Sequence, residues 1–285
     1  MYGGGLGNNI WEYMSLFAIL HTYETEFNLV PHIPQKLKES MSNLFEMTNI
    51  LEIPELPPYC LKDNSPNLHL VQLNETFNAS RIFNSDKLCV VLAPYSAKYE
   101  NVIEYGFDNI KDELRFHQEY IDYSYVTLQS IKKEFNMDQN NVTFVGMHYR
   151  GTDYWYFLKQ NYNSFNDPPN YVYYLKAMDY FKNKFQNVIF ILITIDFKWL
   201  QENHPFLQNQ SNLIINPNNN DAIRDLILLS YCNHSIISYG TYGTSAALFS
   251  GGITFVYDLG LALDHRGPTI AAGISNILPQ WYLIK

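Results

Sequence analysis

Hydrophobic and polar positions follow two different rhythms along this chain. From about residue 137 onward, short unbroken apolar runs alternate with longer segments of helical period. Residues 142–148, 188–194, 213–215, 235–238 and 253–257 read as strands, because each is a compact run rich in Val, Ile and Phe. Between them, 171–186 carries Val172, Leu175, Met178, Tyr180 and Phe181 at helical spacing. Asp221 is placed to cap a helix that runs to Leu229, and 243–249 reads as a further helix. The stretch after residue 148, dense in aromatics, Asn and Pro, reads as a loop. Continuous apolar strands alternating with helices predict a parallel, doubly wound α/β sheet covered on both faces.

The first half is less regular. Gly3-Gly4-Gly5-Leu6-Gly7-Asn8-Asn9 leads into a helix that sets Ile10, Met14, Phe17, Ala18 and His21 on one face. Residues 31–86, rich in Pro, Asn and Ser, read as loops and short helices. Residues 88–93 predict a buried strand stopped by Pro94. A long helical region is expected over 109–136, carrying Leu114, Ile121, Leu128 and Ile131. The boundary between lobes falls between 105 and 140, giving an amino-terminal lobe of 1–125 and a carboxyl-terminal lobe of 126–285.

Composition narrows the function. The 285 residues are 47% hydrophobic and carry a formal net charge of −9, so the chain builds real cores but offers no basic face to a nucleic-acid backbone. A few converging cations still suffice for one phosphorylated small molecule. Only five arginines exist: Arg81, Arg115, Arg150, Arg224 and Arg266. Cys60, Cys89 and Cys232 allow one disulfide with one thiol left over, and their spacing fits no zinc pattern. No run of 18 apolar residues and no signal peptide is present. Five Asn-x-Ser/Thr triplets point instead toward a secretory lumen. Asn233 adjoins a strand and is expected to be too buried for a glycan, which leaves Asn74, Asn78, Asn141 and Asn209 as acceptors.

Three segments carry candidate chemistry. His148-Tyr149-Arg150-Gly151-Thr152-Asp153-Tyr154 follows a strand, where an α/β sheet delivers ligand-binding groups. The arginine fork suits a phosphate oxygen pair; a plain turn in which Arg150 and Asp153 pair with each other fits the same residues. The glycine loop at 3–7 would let backbone amides approach a phosphate, or be only a flexible start. Ser238 to Ser245 sets a Gly/Thr/Ser turn at a helix amino end, suited to phosphate or simply a capped helix. No Asp-x-Asp occurs, so charge on a leaving diphosphate would be met by arginine and helix amides, without a divalent ion.

Taken in order, these segments resemble the galactoside 2-α-L-fucosyltransferases, glycosyltransferase family 11. The family's opening G-x-[LF]-G-N-Q-M-x-x-Y reads here Gly4-Gly5-Leu6-Gly7-Asn8-Asn9-Ile10-Trp11-Glu12-Tyr13. Its H-x-R-R-x-D-Y reads His148 to Tyr154. Its D-x-x-L-L-x-x-C-x-H-x-I, then [GS]-T-[FY], reads Asp225 to Ile236, then Gly240-Thr241-Tyr242. Its closing P-x-W reads Pro279-Gln280-Trp281.

The resemblance implies a GT-B-like fold of two Rossmann-like lobes, the amino-terminal one incomplete here. It implies inverting transfer of L-fucose from GDP-fucose to the 2-hydroxyl of a terminal galactose on a glycan, with no metal or other cofactor. It places the full-length protein in the Golgi lumen, anchored in the membrane by a segment ahead of this chain, which starts inside the first motif. Arg150 would bind the β-phosphate with His148 beside it. Gly5, Gly7 and Asn8 would serve the donor from the first motif. Asp196 would meet the guanosine, and Asp225 would accept from the guanine edge. Thr241, Gly243 and Thr244 would line the diphosphate. Asp153 is the candidate base, with His148 and Glu12 as rivals. One departure stands out: the family's second arginine is Gly151, and losing a charged hydrogen bond typically costs about 1.5–3 kcal/mol. That substitution also admits a weak or inactive relative that binds nucleotide-sugar or glycan, and the resemblance admits a fucosyltransferase with another acceptor.

Overall fold

The computed structural model of the chain describes residues 5–23, 31–46, 68–71, 89–92, 97–137, 141–162, 169–217, 221–263 and 267–285. They form two compact units, Met1–Arg115 with His265–Gly267, and Phe116–Asp264 with Pro268–Lys285.

In the first unit helix α1 (Leu6–Tyr23) begins directly after Gly5. Its buried set is wider than one face, taking in Trp11, Tyr13 and Ile19 besides Ile10, Met14 and Ala18. The reason is packing on more than one side, by α2 (Gln35–Ser42) and by a helical segment of α3 (Tyr99–Asn101), a π-turn (Val102–Gly106) and α4 (Phe107–Glu113). The short strand β1 is Phe45–Glu46. Strand β2 (Leu68–Val71) pairs in parallel with β3 (Cys89–Leu92), Leu68 opposite Cys89. The β3 strand was expected; β2 falls in a stretch read as loop. Cys89 is disulfide-bonded, and the thiol left over is the buried Cys232.

The long helix expected over 109–136 is two helices. The chain breaks at β4 (Arg115–Phe116) before α5 (Gln118–Glu134). Leu114 and Phe116 are buried while Arg115 is exposed, the in-out-in alternation of extended chain, and it overrides helical spacing there.

The second unit is a six-stranded sheet, all parallel. Its strands are β5 (Thr143–His148), β6 (Val188–Ile193), β7 (Leu213–Ile215), β8 (His234–Ile237), β9 (Thr254–Tyr257) and β10 (Trp281–Ile284). Their order is β10-β9-β8-β5-β6-β7. Alternate residues of each strand serve opposite faces. Val145, Met147, Phe190 and Leu192 share one core with Tyr173, Tyr174, Ala177 and Phe181 of α7 (Tyr171–Lys184). On the other face, Gly146 lets α10 (Ala222–Ser230) come close: a Cβ there would stand 2.8 Å from Leu229 Cδ2 and 3.3 Å from Cys232 Sγ. Helix α11 (Thr241–Ser250) covers β8 beside it. Tyr173 reaches up through the first core, its hydroxyl at the carbonyls of Ile237 and Phe255 on neighbouring strands. The doubly wound carboxyl-terminal lobe anticipated from the rhythm of the chain is thus present.

Strand β10 was not anticipated, nor was the helix that follows β5. Helix α6 (Thr152–Tyr162) occupies the first half of the aromatic stretch taken as loop. Aromatics are middling helix formers, but Tyr154 and Leu158, four apart, bury together with Tyr239 and Leu259. The remaining short helices are α8 (Phe197–Asn203), α9 (Pro205–Gln208) and α12 (Ile270–Ile274).

Candidate functional site

The order of strands sets the site. From β5 the chain moves to β6 and β7 on one side, then returns to β8 on the other side of β5. The loops leaving β5 and β8 therefore diverge, opening the crevice in which doubly wound sheets bind ligands. His148 ends β5, opposite Ile193 of β6 and Ile237 of β8, so the segments 149–151, 194–196 and 238–240 emerge along one edge.

His148 is buried at 8% exposure. Its imidazole lies against the first turn of α11: a Cβ on Gly243 would stand 2.8 Å from His148 Nδ1 and 3.3 Å from its Cβ. On another side it meets the Tyr242 ring, centroids 5.0 Å apart. Tyr242 donates its hydroxyl to the Ala222 carbonyl at 2.7 Å. Burial, and then the carboxylates of Asp225 and Asp221, push its hydroxyl well above the ordinary tyrosine range, so it stays a neutral donor.

Arg150 is half-buried, and its guanidinium lies over the Tyr154 ring, 4.7 Å from the centroid. Tyr154 in turn packs on Tyr239, ring centroids 4.3 Å apart and planes tilted by 42°. Its hydroxyl end fills the space beside Gly240, where a Cβ would meet it at 2.8 Å. Gly240 also has φ +90°, so both backbone and packing require glycine at the amino end of α11.

On the other side of β5, the Gly151 amide donates to Asp196 Oδ2 at 2.9 Å. Asp196 begins α8, and its own amide donates to Thr194 Oγ1 at 2.9 Å. Asn216, at φ 45°, extends the sheet with its side chain. Its Oδ1 accepts from the Thr194 amide and its Nδ2 donates to the Thr194 carbonyl, both at 2.7 Å.

The fold thus gathers His148, Arg150, Asp196, Thr241, Gly243 and Thr244 along one sheet edge. Thr244 is fully buried there, and its hydroxyl donates to the Gly240 carbonyl at 2.8 Å, inside the helix. Asp225 is buried in the first turn of α10, near Tyr242. Asp221 caps that helix as expected, Oδ1 accepting from the amides of Ile223 and Arg224 at 3.1 Å each. Asp153 stands in the first turn of α6, and its side chain lies outside the described residues. Gly5, Gly7, Asn8 and Glu12 belong to the first unit, where Gly7 to Glu12 open α1. Burial raises the Glu12 carboxyl above the ordinary glutamate range.

Asn141 and Asn209 are exposed, whereas Asn74, Asn78 and Cys60 lie outside the described residues. Asn233 corrects an expectation. It is exposed rather than buried, because it sits in the turn before β8; its Oδ1 accepts from the Phe144 amide at 2.8 Å. Among the described residues, no helix is long and apolar enough to cross a membrane. Sequence reasoning did not single out Tyr154, Trp199, Tyr242 or Asn216. Two of these stood inside quoted motifs, where their aromatic character was the available signal.

Similarity to known proteins runs through the same segments. The family model described as Glycosyl transferase family 11 matches residues 77–263, about two thirds of the chain. "Galactoside alpha-(1,2)-fucosyltransferase 1" of Saimiri boliviensis boliviensis is 26% identical over 179 residues, 61% of this chain and 48% of that protein. The chain therefore aligns with about half the length of that relative. The protein of the same name from Mico humeralifer is 23% identical over 282 residues, 98% of this chain and 72% of its own. Among solved structures, an Arabidopsis thaliana FUT1 mutant in complex with GDP aligns with TM-score 0.48 and 12% identity, covering 89% of this chain and 68% of that one. With a family match spanning the switch-point edge and both motifs that build it, this chain belongs to glycosyl transferase family 11.

Proposed function

We propose that this chain transfers L-fucose from GDP-fucose to the 2-hydroxyl of a terminal galactose on a glycan, with inversion and without a metal ion. The observation that carries this reading is the guanidinium of Arg150, held on the Tyr154 ring at the topological switch point. There it serves the β-phosphate, with the amino end of α11 beside His148 as a second positive element. His148 acts as a wall of that anion site, since Gly243 and Tyr242 fix its ring.

As the galactose oxygen forms its bond to fucose C1, the bond from C1 to the diphosphate oxygen breaks. Arg150 and the helix amides stabilise the negative charge that gathers on GDP. The acceptor's proton passes to a carboxylate, for which Asp153, three residues after Arg150, is the proposed base. The sequence contains no Asp-x-Asp, which favours charge neutralisation by arginine over a divalent ion. The disulfide at Cys89 and the exposed triplets at Asn141 and Asn209 favour an oxidising lumen such as the Golgi. The homologues' names supply the acceptor class.

The test is calorimetry with GDP and GDP-fucose, then a transfer assay on β-galactosides with EDTA present. Tight GDP binding and EDTA-resistant transfer to galactose support the proposal; no binding of either nucleotide sinks it. Nucleotide binding with no transfer to any galactoside favours the second reading, a relative that binds without reacting. Gly151 is what favours that reading, since it leaves one cation where the family pattern has two.

A further inference from the structure

The glycine that replaces the family's second arginine has no empty space beside it. A Cβ on Gly151 would stand 2.7 Å from Trp199 Cδ1, 3.2 Å from Trp199 Cγ and 3.3 Å from Asp196 Oδ2. Those indole atoms lie at the root of the ring, next to its attachment, so a small side-chain rotation does not clear them. Asp196 and Trp199 sit three residues apart at the start of α8, and so face the same way. One accepts the Gly151 amide and the other covers its α-carbon. The Trp199 ring is itself seated from behind, packed against the buried cluster that contains Tyr149. Tyr149, Arg150 and Gly151 are consecutive, so α8 grips the chain on both sides of Arg150.

We propose that Asp196 and Trp199 form a positioning clamp on Gly151 that fixes the Arg150 backbone, so that one well-oriented cation does the work of the family's pair. The clamp supplies one half of the orientation and Tyr154 the other: the turn is held by α8, the guanidinium by the aromatic ring. Gly151 is then a required residue of this chain rather than a missing arginine. Asp196 acts chiefly through the turn, as a positioning residue. This inference rests on the nucleotide-binding reading above for its consequence, but not for the clamp itself.

Two measurements separate the two. The first is amide hydrogen exchange over residues 149–152 in the unliganded protein. Asp196→Ala should speed exchange there at least tenfold, and Asp196→Asn, whose Oδ1 still accepts from Gly151, should not. Unchanged exchange in Asp196→Ala overturns the clamp. The second is GDP affinity by calorimetry. Gly151→Arg should weaken binding at least tenfold, and adding Trp199→Ala to it should recover most of the loss, which is non-additivity of the kind contacting residues show. A Gly151→Arg variant that binds GDP more tightly than the parent overturns the proposal. If the parent binds no GDP while the exchange result holds, the functional reading fails and takes the nucleotide consequence with it, and the clamp stands.

Discussion

The imidazole of His148 and the α-carbon of Gly243 are in contact across the switch point, with only 2.8 Å between Nδ1 and the place a Cβ would occupy. Ile237 Cγ2 closes the same space at 3.2 Å, so no neighbour can yield cheaply. Gly243→Ala should therefore destabilise the second unit by about 1–3 kcal/mol, the usual effect of overpacking. It should also push the imidazole off the helix end. Denaturant midpoints and GDP calorimetry check both effects; a variant with parental stability and affinity would refute the contact.

Arg150 is fixed by a ring as well as by its turn. Arg150→Ala should weaken GDP binding by about ten- to hundredfold, the scale of a lost charged hydrogen bond. Arg150→Lys should recover only part of that, because an ammonium lacks the planar fork and stacks poorly. Tyr154→Phe keeps the ring and should bind nearly as the parent does, whereas Tyr154→Leu should lose several-fold. Titration calorimetry of the four variants orders them.

Asn216 stands in for a strand residue at the end of β7, bonding both backbone groups of the buried Thr194. Asn216→Ala leaves a buried amide without that acceptor and should cost about 1–3 kcal/mol. It should also loosen the 194–196 segment that carries Asp196. Asn216→Asp keeps an acceptor for the Thr194 amide but loses the donor to its carbonyl, and should fall between. Urea unfolding distinguishes the three proteins.

Two histidines set an acid limit. Burial, joined at His234 by the Lys184 charge, lowers His204 and His234 below the ordinary value of 6.5. The unfolded chain then binds more protons than the native one between the lowered and the ordinary value. The stability they contribute is complete above pH 6.5 and falls as pH drops through the lowered values. His204 sits among Tyr149, Tyr174 and Phe206, so His204→Phe keeps the aromatic packing. That variant should show a shallower loss of melting temperature between pH 6.5 and 5 than the parent.

Five of the six strands of the second unit were legible because a parallel sheet buries both faces and writes each strand as an unbroken apolar run, as at 188–193; the edge strand β10 was not, since Tyr282 and Leu283 are exposed. The cap at Asp221 was legible because capping is local chemistry. Helix α6 was not, since its aromatic residues carry no strong preference and only tertiary contacts of Tyr154 and Leu158 select the helix. The break at 115–116 was hidden for the same reason: burial on both sides of Arg115 comes from the fold. At the site, Arg150 and the helix end could be read from spacing. The arrangement around Gly151 could not, because Trp199 is 48 residues away in the chain and meets it only once β5 and β6 are paired.

Helix α11 is buried along nearly its whole length, from Thr241 to Phe249, with Ser245 and Thr244 tied back into its own carbonyls. A helix so enclosed has no freedom left to surrender when an anion arrives at its amino end. Ordering entropy at that end is already spent in folding, so under the proposed function encounter with a phosphate there would be governed by diffusion and desolvation rather than by rearrangement.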